Sequence, residues 1–155
     1  GLRLNRESSA LKCYMGDTGL LISLAFDEKG LVDEEIYKKI LFNKLTFNEG
    51  MIMENIVAQM LAATGKKLYF YFNYDKQNSL NNMEIDFLIA KSKITSRHNV
   101  SPIEVKSGKN YTFSSLNKFR NKYKEYVSTG YVLHIEDLKV ENDIVFLPVY
   151  MTCLL

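Results

Sequence analysis

The chain has 155 residues, of which 46% are apolar and 25% charged, with two prolines and no tryptophan; this is the composition of a folded domain and excludes a disordered tail or a fibrous repeat. Twenty basic against 18 acidic residues leave a net charge of +2, too little to specify a nucleic-acid partner by charge alone. No apolar run reaches the length of a membrane span, and Cys13 and Cys153 lack metal-ligand spacing, so neither a membrane nor a zinc partner is expected, and a reducing cytoplasmic setting is.

The opening GLRLNRESSALK lacks the build of a signal peptide, and Gly1 in place of Met suggests a processed tag remnant or a piece cut from a longer chain. Next, ALKCYMGDTGLLISLAF predicts a short strand through Lys12–Met15 and a helix capped by Asp17 ahead of Leu20, Leu21, Leu24 and Ala25. Asp33 can start a second short helix with Ile36, Ile40 and Leu41 on one side. Residues 1–45 therefore read as a helical extension.

In GMIMENIVAQMLAATGKK the apolar residues Met53, Ile56, Val57, Met60 and Leu61 recur at helical spacing, and Gly65 suits the C-terminal cap. Glu54 falls about 20° around this helix from Leu61, at the border of the apolar stripe, where a carboxylate needs a partner. KLYFYFNY and MEIDFLIA predict a hairpin across the turn-forming stretch 75–82, and VSPIEVK predicts a third strand ended by Ser107-Gly108.

SSLNKFRNKYKEY places Leu116, Phe119, Tyr123 and Tyr126 on one face of a helix, with Ser114 as the expected cap. GYVLHI and DIVFLPV close the chain as strands, Pro148 ending the last. The order helix, three strands, helix, strand predicts one mixed α/β sandwich over 46–155.

Two of the strands carry charges. Period-two geometry puts Glu84 and Asp86 on one face with Ile85 and Phe87 on the other, and puts Glu104 and Lys106 together opposite Val105. Either pair alone is compatible with a solvated face. However, the apolar run Phe87-Leu88-Ile89-Ala90 predicts a strand covered on both sides, and acids with a lysine on adjacent covered strands can supply oxygen ligands for a divalent cation and an ammonium for developing negative charge.

The ordered set Glu54, Asp86 and Glu104-Val105-Lys106 on helix, strand and strand resembles the PD-(D/E)XK, restriction-endonuclease-like nucleases, whose core is α-β-β-β-α-β. More narrowly, KCYMGDTGLL, EGMIMENIVAQML, EIDFLI, PIEVKSG, SLNKF and LPVYM resemble the uncharacterised C-terminal domain of prokaryotic AAA-type ATPases. The resemblance implies a nuclease-like core over 46–155, Mg²⁺ or Mn²⁺ held by Asp86 and Glu104 with Glu54 as an ancillary acid, and Lys106 beside the attacking water or scissile phosphate. It leaves Glu84 as a companion of unassigned role. It also implies DNA as the substrate or partner, and an ATPase module expected upstream, because this chain has no phosphate-binding loop of the G-x-x-x-x-G-K-[ST] type.

Many domains of that fold have lost catalysis, so a non-catalytic module that binds DNA or protein is the alternative. Arg97, Lys109, Lys118 and Lys122 are the residues expected to follow a phosphate backbone. His98 and His134 have no partner at triad or metal spacing, and an ion network of Glu54, Glu104 and Lys106 that only fixes the strands remains a competing reading.

Overall fold

The computed structural model describes residues 10–27, 48–90 and 100–155; the expected helix after Asp33, together with Arg97 and His98, lies outside the described residues. Helix α1 (Thr18–Asp27) starts where Asp17 Oδ1 accepts the Leu20 amide at 2.9 Å, as a capping aspartate should. Residues 10–17 form no strand, contrary to the expectation for Lys12–Met15. The Asn55 side chain takes the N–H and C=O of Met15 instead, so no strand partner is needed there.

Helix α2 (Glu49–Ala63) is capped by Asn48, whose Oδ1 accepts the Met51 amide. At its far end Gly65 takes φ +78°, with Lys66 N–H to Leu61 O at 3.0 Å and Gly65 N–H to Ala62 O at 2.9 Å. This paired closure needs a left-handed residue, which glycine supplies without steric cost. The buried face runs through Asn55, Val57, Ala58 and Leu61, whereas Met53, Ile56 and Met60 are half-buried. The stripe is rotated from the one expected because segment 10–18 covers a polar part of the helix.

Six strands form one mixed sheet in the order β1-β2-β3-β4-β6-β5: β1 Tyr69–Asn73, β2 Met83–Ala90, β3 Val100–Val105, β4 Gly130–His134, β5 Lys139–Glu141 and β6 Ile144–Pro148. The hairpin β1–β2 and the pairs β2–β3 and β5–β6 are antiparallel, while β3–β4 and β4–β6 are parallel. Helix α3 (Ser114–Lys122) is the crossover between the parallel strands β3 and β4. Strand β5 was not expected; Asn142 and Asp143 at φ 50° and 59° turn it tightly onto β6, a conformation these two residue types tolerate.

Two apolar layers enclose the sheet. Val57, Ala58 and Leu61 of α2 pack with Phe87, Ile89, Ile103, Leu133 and Leu147. Leu116 and Phe119 of α3 pack with Met83, Ile85, Leu88, Val132, Ile144 and Phe146. Ile85 and Phe87 thus lie in different layers, not on one face as simple alternation predicts.

The register explains why. Tyr69 pairs with Leu88 but Tyr71 with Ile85, so two residues of β1 span three of β2. The bulge switches the sides of β2 at Asp86-Phe87.

Helix α3 is shorter than expected, ending at Lys122; Tyr123 packs on the core and Tyr126 is exposed. Phe113, not Ser114, takes the cap position, and no side chain of the helix's own start caps it. Among the described residues no helix is long and apolar enough to cross a membrane.

Candidate functional site

Strands β2 and β3 pair from Phe87–Ile103 to Ala90–Val100 and then part. Where they part, Asp86 Oδ2 accepts the Val105 amide at 2.9 Å, so a side chain takes the place of the missing ladder bond. The fork opens into a cleft of about 190 Å³ lined by Glu84, Asp86, Glu104, Lys106, Thr112, Ser114 and Ser115.

Glu104 is 2% exposed. Its Oε1 accepts the Leu116 amide at 2.7 Å, which makes it the cap that α3 lacks in its own sequence. Its Oε2 lies 2.9 Å from Lys106 Nζ, an ion-pair contact without hydrogen-bond direction, and has no hydrogen-bond partner among the described residues. Burial pushes the Glu104 carboxyl above its ordinary range, against the pull of Lys106, with the charge of Asp86 adding to the rise.

Glu54 and Asp86 meet on the α2 side of the fork through a residue that the sequence did not single out. Lys12 Nζ lies 2.9 Å from Glu54 Oε1, 2.8 Å from Glu84 Oε1 and 3.2 Å from Asp86 Oδ1. Burial opposes the Lys12 charge, but the hydrogen bonds to Glu84 and Glu54 and the charge of Asp86 outweigh it and hold its pKa above the usual lysine range. Burial likewise raises the Asp86 carboxyl; Val105 and Lys12 work against that rise and Glu54 works with it. The Tyr14 hydroxyl also donates to Glu54 Oε1, and burial followed by that bond keeps it protonated.

Segment 12–18 is strapped to α2. Asn55, 2% exposed, accepts from Met15 N–H at 2.8 Å and donates to Met15 O and Thr18 Oγ1, while Gln59 Oε1 accepts the Thr18 amide at 3.1 Å. A buried asparagine must satisfy both ends of its amide, and the strap does so.

The predicted residues therefore divide. Asp86, Glu104 and Lys106 share the cleft, Glu84 stands on its rim with a half-exposed side chain, and Glu54 is joined to Asp86 through Lys12. The basic residues do not gather there. Lys118 donates to Asn82 O at 3.2 Å, Lys122 contacts Tyr71 Oη and lies over the Tyr123 ring, Lys109 is exposed after β3, and Arg97 is outside the described residues. His134 is a buried structural group between Tyr111 Oη and Asp137 O.

The donor set can be tested for a divalent cation. The carboxylates around Lys12 are spaced for an ammonium at 2.8–3.2 Å, longer than the ~2.0–2.6 Å of magnesium or calcium ligation. Among the described residues no three His, Cys, Asp or Glu side chains are disposed to hold a metal. The cleft itself presents Asp86 and Glu104, and the Glu104 Oε2 there has an ion-pair contact with Lys106 but no hydrogen-bond partner among the described residues. A family model described as "Domain of unknown function (DUF4143)" matches residues 49–153. No curated protein and no solved structure matches the chain at a significant level.

Proposed function

The chain belongs to the DUF4143 family of domains of unknown function, and on that premise we propose that it is a restriction-endonuclease-like domain of an AAA-type ATPase that binds DNA and cleaves phosphodiesters with Mg²⁺ or Mn²⁺. The observation that carries this reading is the forked end of the sheet, where Asp86, Glu104 and Lys106 line one cleft beside the start of α3. The order α2-β1-β2-β3-α3-β4 supports the fold assignment.

Asp86 and Glu104 would hold the cation, which when bound acidifies a water and polarises the phosphate. Lys106 keeps an ammonium at the cleft, 2.9 Å from Glu104, where negative charge on a phosphate can be met. Thr112, Ser114 and Ser115 offer hydroxyls to the remaining phosphate oxygens. Val105 N–H fixes Asp86 and Leu116 N–H fixes Glu104, so both carboxylates are held before substrate arrives.

A plasmid-nicking assay with Mg²⁺ or Mn²⁺ tests the proposal. Nicking by the parent and a loss of about 100-fold or more in Asp86→Ala and in Lys106→Ala are expected. Cleavage that is unchanged in both variants, or absent from the parent at high protein concentration, sinks it.

A second reading, a non-catalytic DNA- or protein-binding module, is favoured by one observation: the acids on the α2 side already have a cation, the Lys12 ammonium. Under this reading the parent titrates with Mn²⁺ without a specific site and DNA retention in a filter assay is indifferent to Asp86→Asn.

A further inference from the structure

We infer that Lys12 is an intramolecular stand-in for the divalent cation, so that metal loads Asp86 only in competition with the Lys12 ammonium; this rests on the metal-binding reading above and adds its regulation by residues 10–18. Three observations support the competition.

The first is position. Lys12 reaches Asp86 Oδ1 while the cleft with Glu104 and Lys106 lies against the same carboxyl, whose Oδ2 holds Val105. Lys12 and a cleft-bound cation therefore call on one carboxylate from two sides.

The second is charge. Three carboxylates meet one ammonium, a formal excess of two negative charges, whereas Glu104 and Lys106 balance one to one. The α2 side is left with the charge that a divalent ion would neutralise.

The third is attachment. Among the described residues no backbone–backbone hydrogen bond ties residues 10–16 to the sheet. Asn55 and Gln59 anchor the strap at Met15 and Thr18, and the Tyr14 side chain fastens it to Glu54 and against Phe87, all of them beyond Lys12 in the chain. The lysine can thus leave Asp86 while the anchor stays made, and the long side chain reaches the acids from a segment that is neither helix nor strand.

The test measures Mn²⁺ binding by the loss of the free-ion electron paramagnetic resonance signal, a readout independent of cleavage. In Lys12→Met the Mn²⁺ affinity is expected to rise at least about tenfold, equivalent to about 1.4 kcal/mol. Adding Asp86→Asn to Lys12→Met abolishes the gain.

Unchanged or weaker binding in Lys12→Met overturns the inference, as does a gain that survives Asp86→Asn. If Lys12→Met does not fold, Lys12→Met/Glu84→Gln removes one charge of each sign from the exposed rim and is held to the same standard. A tenfold gain in a protein that never nicks DNA leaves the competition standing and fails the nuclease reading alone.

Discussion

Two lysines meet carboxylates at the forked end of the sheet, and they do so in opposite ways. Lys106 stands two residues from Glu104 on the same strand and forms a one-to-one pair with it. Lys12 arrives from a segment 42 residues before Glu54 and 74 before Asp86 and gathers three acids. The local pair costs the fold little to assemble and is one side of a cleft. The distant cluster closes long loops, so it ties the start of the chain to the middle of the sheet. Under the function proposed above, the contrast assigns chemistry to the first, and to the second both cohesion and the place of the cation.

The largest effect that could break this division is expected at Asn55. Asn55→Ala removes a fully buried amide that holds the strap and should lower stability by about 3 kcal/mol in urea unfolding, with early loss of hydrogen-exchange protection at the Met15 amide. If Lys12→Met costs more than Asn55→Ala, the ion cluster and not the amide is the principal fastening.

Lys12→Met comes next, at about 2 kcal/mol near neutral pH, because it leaves three acids facing one another without a cation. Its cost should shrink at acid pH as the carboxyls protonate; a pH-independent loss would mean that the aliphatic stem, not the charge, matters.

Lys106→Met should cost about 1 kcal/mol near neutral pH, because the buried Glu104, whose carboxyl burial already raises, can shed its unpaired charge by taking up a proton. A loss as large as that of Lys12→Met would erase the distinction between the two lysines.

Glu104→Gln has the smallest effect and the opposite sign. Burial raises the Glu104 carboxyl, so the folded state holds its proton more tightly than the unfolded chain. Its contribution then falls as pH climbs from the ordinary carboxylate range through the raised value. Gln keeps an acceptor for the Leu116 amide, and the variant should equal or exceed the parent by no more than about 1 kcal/mol at pH 7. The advantage should vanish at acid pH; one that persists there would show that packing, not ionisation, is responsible.

Much of the fold was legible because it rests on local patterns. Period-two and helical spacing gave β2, β4, β6, α2 and the core residues Leu116 and Phe119, and Gly65 and Asp17 marked helix ends where the structure has them. What failed depends on distant partners. The strand expected at Lys12–Met15 is a strap whose last residue has both backbone groups taken by Asn55, and Ser114 does not cap α3 because Glu104 does so from β3.

The site was half legible for the same reason. Spacing within a strand put Glu104 beside Lys106, and nothing in the neighbourhood of Lys12 announces acids 42 to 74 residues away. Nor does alternation reveal the bulge that separates Ile85 from Phe87.

That bulge makes β2 a crank. Ile85 and Phe87 are two residues apart and would share a face in a regular strand, yet one is seated under α3 and the other under α2, with Asp86 at the pivot. A load applied to the Asp86 carboxyl passes through a few covalent bonds into both layers. Whatever seats itself at the fork is therefore felt by the whole sandwich as torque on a single strand.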